Sequence, residues 1–343
     1  MQTPDAGPLR PDLLKVILCL CRSTVLVSHA IQSIHLHRMS EKGLVDYIRN
    51  NSPTLEPKET GVEALPHRFP KVKLCLFDIY GTLFISGSGD VGTAKKTSTA
   101  GAFQFALTRS LGAYVDSACA LQASELFYSL IRDQHQRAQQ NGILQPEVDI
   151  RDIWRSLLLQ LAGDCLTDDL ADVASAGSEE LVEYISVCYE CRVNPTHPMP
   201  GLASTLHDLA RRNVKLGLVS NAQFFTPLLF QAHLGERTAQ LGFDHRFVSY
   251  SYLAGCAKPD PSIFEPVLQA AREEEIAANE ILYIGNDMRN DIQTAHQLGL
   301  RTALFAGDQR SLRMRRDSAP DIKPDAILTH LSELPELLQG EPL

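Results

Sequence analysis

Residues 72–84, Val-Lys-Leu-Cys-Leu-Phe-Asp-Ile-Tyr-Gly-Thr-Leu-Phe, constrain the fold more than any other stretch of this chain. The apolar run predicts a strand buried on both faces, the pattern of a parallel sheet, and it stops abruptly at Asp78 before a Gly81-Thr82 turn. A buried strand has no packing reason to end in a carboxylate, and ligands of open α/β sheets bind beyond the carboxyl ends of the strands. Asp78 is therefore a candidate catalytic group. The competing reading, an aspartate that caps the next turn, has to be decided by the rest of the chain.

From residue 195 onward, apolar runs at 214–221, 247–252, 280–285, 301–305 and 326–329 alternate with helical patterns, which predicts a right-handed parallel sheet. Between residues 93 and 193 the pattern is helical throughout, with apolar spacing of three and four over 102–111, 123–139, 150–161 and 179–191. The predicted organisation is an α/β core over 70–92 and 194–343, with an all-helical insertion over 93–193 after the first strand. Residues 1–69 form an N-terminal extension and linker, partly disordered. The Pro-rich segment 50–70 is the linker proper, and segments 90–97 and 193–200 bracket the insertion as hinges.

With 44% hydrophobic residues and a formal net charge of -9 in 343 residues, the chain reads as soluble and unsuited to nucleic acid. Its densest basic stretch, 310–316, is flanked by Asp308 and Asp317 and is expected to be a solvated loop. Residues 16–21 are apolar, but Arg22 interrupts them, so no membrane span or secretory signal is expected, and Met39 offers an alternative start. Several of the eight cysteines lie in apolar runs, as free thiols that pack like small hydrophobes, which suits the cytoplasm. Cys188 and Cys191 form a lone CxxC with no second pair at zinc-finger spacing.

Four polar clusters follow strands of the one sheet: 78–82, Ser220-Asn221, Lys258-Pro259 and 286–291. Parallel strands bring all four to one crevice. An acid able to act as nucleophile, a hydroxyl, a cation and a second acidic cluster are the parts for transfer of an anionic group.

On these motifs the chain resembles the haloacid dehalogenase superfamily of hydrolases over residues 70–340. The resemblance implies a Rossmann-like core, with the helical insertion as a mobile cap that closes over the crevice. It makes Asp78 a nucleophile that forms a covalent intermediate, Ser220 and Lys258 the groups that orient and neutralise the substrate anion, and Thr82 and Asn221 further substrate contacts. Phosphatases of the superfamily carry a second Asp two residues after the nucleophile; here Tyr80 stands there, as in the 2-haloacid dehalogenase branch, and its unperturbed pKa of about 10 suits it poorly to acid catalysis. Arg109, in Leu-Thr-Arg-Ser-Leu-Gly, is similar to the dehalogenase residue that contacts substrate; the other reading is an exposed helix charge. The pair Asp287 and Asp291 instead resembles the phosphatase form, in which Asp78, the backbone carbonyl of Tyr80 and one of these acids hold Mg²⁺. Alignment on Gly285 puts Asn286 at the ligand position in place of Asp287. Phe264 stands where dehalogenases have a tyrosine. The resulting expectation is a Mg²⁺-dependent phosphatase of a small phosphorylated metabolite, a monomer or homodimer. The alternatives are a 2-haloacid dehalogenase and a catalytically weak binding protein on the same fold.

Overall fold

The computed structural model describes residues 40–88, 96–315 and 322–338. Residues 1–39, most of the segment 90–97 expected as a hinge, and the distal end of the basic stretch lie outside the described residues.

Six parallel strands form the core sheet: β1 (Leu74–Phe77), β4 (Lys215–Ser220), β5 (Phe243–Tyr250), β6 (Ile281–Gly285), β7 (Arg301–Phe305) and β8 (Ala326–Leu328), in the order β5-β4-β1-β6-β7-β8. The opening strand is central. All four of its side chains are fully buried, and it pairs in register with β4 (Phe77 opposite Leu218) and with β6 (Phe77 opposite Ile284). Burial on both faces is what the unbroken apolar run demanded, each large side chain contributing about 1.5–3 kcal/mol. The strand expected at 247–252 begins four residues earlier, at Phe243, because β5 carries exposed charged residues such as Arg246 that mask its first half as loop.

A two-stranded antiparallel ribbon, β2 (Phe84–Ser86) with β3 (Thr196–Pro198), holds together the two points where the chain leaves and re-enters the core. Between them run five helices: α2 (Lys96–Leu111), α3 (Ser117–Gln140), α4 (Ile150–Asp164), α5 (Asp168–Ala176) and α6 (Glu179–Val193). Capping fixes the starts of three of them. Asp116, Asp149 and Ser178 accept hydrogen bonds from Cys119, Arg151 and Leu181 amides respectively. Phe103, Phe127, Trp154 and Tyr189 cluster as the aromatic centre of this block.

Two expectations are corrected. Residues 40–69 are not a free extension: α1 (Glu41–Asn51) buries Leu44, Val45, Tyr47 and Ile48, and is capped by Ser40. It packs against both α6 and the core helix α8 (Leu228–Leu234, with α7 being Leu202–Arg211). The proline-rich segment after it lies along the sheet edge, where Leu65 and Ile327 exchange backbone hydrogen bonds. The prolines broke any periodicity there, so the pairing left no sequence pattern. The second concerns two cysteines only: Cys119 and Cys165 form a disulfide between α3 and the end of α4, 46 residues apart, while Cys75, Cys188 and Cys256 are free and buried as expected of several, and Cys191 is free. Among the described residues no helix is long and apolar enough to cross a membrane.

Candidate active site

The four predicted strand ends meet at one crevice. Asp78 follows β1, its amide hydrogen-bonded to Ile284 of β6, and its carboxylate Oδ1 accepts from Ser220 Oγ at 2.8 Å and from Lys258 Nζ at 2.7 Å. Both side-chain bonds arrive at Oδ1. Ser220 ends β4, which neighbours β1, so the parallel register itself delivers its hydroxyl.

Lys258 is the hub. Its ammonium, only 5% exposed, also donates to Asp291 Oδ1 at 2.6 Å and to the Tyr283 hydroxyl at 2.8 Å. Burial acts to lower its pKa, but the carboxylates of Asp291 and Asp78 outweigh that and raise it, so the lysine stays charged. Asp291 is pushed up to about 6, chiefly by burial and then by the nearby charges of Asp78 and Asp287, against the pull of Lys258. Asn221 fixes the lysine backbone: its Oδ1 accepts from the Lys258 amide at 2.7 Å and its Nδ2 donates to the Lys258 carbonyl. The peptide bond from Lys258 to Pro259 is cis.

The fourth cluster folds as one π-helical turn (Met288–Gln293) capped by Asp287, whose Oδ1 accepts from the amides of Arg289 and Asn290. Gly285 is required there, because a Cβ at this position would lie 2.4–2.5 Å from Asp291 atoms. Thr82 is fully buried and is not among the residues that line the crevice. Its Oγ1 donates to Asn286 Oδ1 at 3.0 Å, and Asn286 Nδ2 donates to the Ser311 carbonyl, so the pair ties the first motif to the loop after β7.

Tyr80 sends its side chain inward. Its hydroxyl is 3.0 Å from Thr226 Oγ1, and burial first, then the charge of Glu190, raises its pKa well above the ordinary value. The phenol is thus permanently protonated at neutral pH. Arg109 does not join the crevice: it is exposed on α2, and the nearby Tyr184 of helix α6 acts to raise its pKa, in the part of the block that packs on α1. Phe264 is fully buried edge-on to the Tyr283 ring.

The basic stretch is the clearest correction. It was expected to be solvated, but the backbone of Arg313 pairs with Asn286 and Met288, and this bridge pulls the loop over the site. Arg313 lines the crevice, and Arg315 clamps Asp287 with Nε at 2.8 and 2.9 Å and Nη2 at 2.7 Å. Sequence reasoning also missed Tyr283 and Thr226. Tyr283 had a signal, being the one hydroxyl in the apolar run of β6; Arg315 had none, since its reach depends on the loop.

A cavity of about 30 Å³ lies among Asp78, Tyr80, Asn286, Asp287 and Asp291, enough for a single small occupant. Among the described residues no three carboxylate, imidazole or thiol side chains cluster as a metal cage. The donors that do line it are hard oxygens, the kind Mg²⁺ takes when it keeps most of its waters, so the residue types fit such an ion.

Residues 72–299, which contain all four motifs, match the family of haloacid dehalogenase-like hydrolases. The chain belongs to this family. Within it, the chain is similar to haloacid dehalogenase-like hydrolase domain-containing protein 3 of Mus musculus, 29% identical over 195 residues, 55% of this chain and 70% of that protein. It is also similar to glyceraldehyde 3-phosphate phosphatase of Methanopyrus kandleri, 30% identical over 129 residues, but that match spans 37% of this chain and only 47% of the archaeal protein. Among solved structures, the 2-haloacid dehalogenase from Pseudomonas syringae pv. Tomato DC3000 shares the hydrolase fold, with a TM-score of 0.51 and 23% identity over 78% of this chain and 98% of the dehalogenase.

Proposed function

We propose that this hydrolase cleaves small phosphate monoesters through Asp78. The observation that carries the reading is the carboxylate of Asp78, held at one oxygen by Ser220 and Lys258 at the mouth of an oxygen-lined crevice. In the first step an Asp78 oxygen attacks phosphorus, the ester P–O bond breaks, and the alkoxide takes a proton from water and departs as the alcohol. Water then cleaves the acyl phosphate, releasing inorganic phosphate and regenerating the carboxylate. Ser220 and Lys258 steer and neutralise the phosphoryl oxygens, and Lys258, which stays charged, holds Asp78 by its Oδ1. Asn221 holds the lysine backbone in place.

Asp78, the carbonyl of Tyr80 and Asp287 or Asp291 would hold Mg²⁺. Bound there, the ion would offset the charge that builds on the transferring group. Asp291 already satisfies Lys258 and the Asp287 amide, so Asp287 is the better candidate once Arg315 releases it. The helical block serves as the cap over the crevice. Dehalogenation is the weaker reading, because Arg109 sits on Tyr184 instead of facing Asp78 and Phe264 replaces the expected tyrosine.

Phosphate release from a panel of phosphate monoesters, with and without Mg²⁺, tests the proposal, and Asp78→Asn is expected to abolish it. Halide release from 2-chloropropionate in the presence of EDTA would overturn it.

A further inference from the structure

A second and much larger cavity of about 380 Å³ lies between the helical block and the core, next to the crevice across Asn221. Asn221 lines both spaces, and Ala257, adjacent to Lys258, lines the larger one, so a group leaving the phosphorus has this cavity directly before it. The volume is well above the roughly 150 Å³ that encloses benzene and falls in the range of small-molecule sites, about 300–1,000 Å³.

Its walls are largely apolar and aromatic, with Phe127, Tyr128, Trp154, Tyr189 and Phe225 contributed from both sides. The Ser186, Asn194, Asn221 and Gln223 side chains that also line it are hydrogen-bonded within the protein. The ionisable side chains that line it among the described residues are two carboxyl groups, Glu147 and Glu190, and His135; no lysine or arginine does so. Burial raises both carboxyl pKa values, that of Glu190 to about 7, and lowers that of His135, so each environment disfavours charge. Such walls repel a second anionic group on the substrate and offer little to a polyol. Two polar atoms of the lining side chains are buried without a hydrogen-bond partner, Nε1–H of the fully buried Trp154 and Nε2 of His135. A neutral oxygen on the occupant would satisfy the indole N–H.

We infer that this cavity receives the alcohol part of the substrate, and that this part is bulky, apolar and free of negative charge, an aromatic or similarly sized hydrophobic alcohol. The inference rests on the phosphatase reading of Asp78. Among small phosphate monoesters, it disfavours those whose alcohol part is a polyol or carries an acid.

Trp154 is the single tryptophan of the chain, so its fluorescence reports occupancy of this cavity whether or not catalysis occurs. The full-length protein is titrated with 4-tert-butylbenzyl alcohol, 4-tert-butylbenzoate and glycerol, and phosphate release is compared for 4-tert-butylbenzyl phosphate and glycerol 3-phosphate. The alcohol is expected to bind saturably and at least about tenfold more tightly than the other two, with a similar or larger advantage of its phosphate ester in kcat/KM. Ile131→Lys, on the partly exposed cavity wall, is expected to shift the preference toward the benzoate. Equal or tighter binding of glycerol or benzoate, or no saturable response to the alcohol, would overturn the inference. Saturable binding of the alcohol with no phosphate released from any ester supports the cavity's chemistry and overturns the phosphatase reading alone.

Discussion

Lys258→Met removes the one buried cation shared by Asp78 and Asp291, and the structure sets the size and the pH dependence of the damage. The ammonium contacts these carboxylates at 2.7 and 2.6 Å, and Asp291 is only 2% exposed. Breaking a buried pair by removing one partner costs about 3–5 kcal/mol, because it leaves an uncompensated charge. At roughly 2–4 °C per kcal/mol for a chain of this size class, the melting temperature should fall by about 10 °C near pH 8. The folded-state pKa of Asp291 lies near 6, above its ordinary 3.8, so its ionisation opposes folding, a cost absent below the unfolded value and fully present above the folded one. Without Lys258 that folded pKa rises further. At pH 5 the variant's Asp291 is therefore neutral, and the deficit relative to wild type should shrink. Thermal melts of wild type, Lys258→Met and Lys258→Met/Asp291→Asn at pH 5 and pH 8 read this directly, and the double variant should recover part of the loss at pH 8. A deficit independent of pH, or no rescue by Asp291→Asn, would refute the assignment of Lys258 as the charge hub.

Arg315→Gln frees Asp287 from its guanidinium clamp and should lower the Mg²⁺ concentration that half-saturates phosphate release by several-fold; an unchanged titration would remove Asp287 as a ligand. Tyr80→Phe deletes only the hydroxyl contact with Thr226, so stability should fall by about 1 kcal/mol with turnover little changed. Loss of turnover by orders of magnitude would instead make the phenol an acid catalyst. Gly285→Ala drives a methyl group into Asp291 and should cost about 1–3 kcal/mol along with most of the activity, measured by denaturant unfolding and phosphate release.

The parts of the fold legible in sequence were those in which local pattern and burial agree. β1 and β6 are buried on both faces and read as apolar runs, and the acids and hydroxyls that end the strands stood out against them. Parallel topology then sufficed to bring Asp78, Ser220, Lys258 and Asp291 together. What escaped depends on contacts distant in sequence. Arg315 reaches Asp287 only because Arg313 pairs with Asn286 and Met288; the edge pairing of Leu65 has no repeat behind it; the disulfide joins helices that periodicity cannot place side by side. Thr82 and Arg109 show the converse, polar residues in suggestive motifs whose partners, Asn286 and Tyr184, are structural neighbours.

Helix α1 touches both bodies of the molecule. Arg49 donates to the carbonyls of Ala232 and Gln231 on α8, while the Tyr47 ring meets Tyr184 of α6 edge-on at 5.4 Å. Any swing of the helical block about the β2–β3 ribbon has to slide α6 past a helix anchored to the core. Were the block to open as the proposed cap, the helix would act as a strut: an edge-on aromatic pair alone would add about 0.5–1.5 kcal/mol to the free energy of opening, up to about tenfold in the population of open molecules. Residues 41–51 precede the family-matched segment, so the rate at which this hydrolase exchanges substrate and product would be set in part by a segment that contributes no atom to the chemistry.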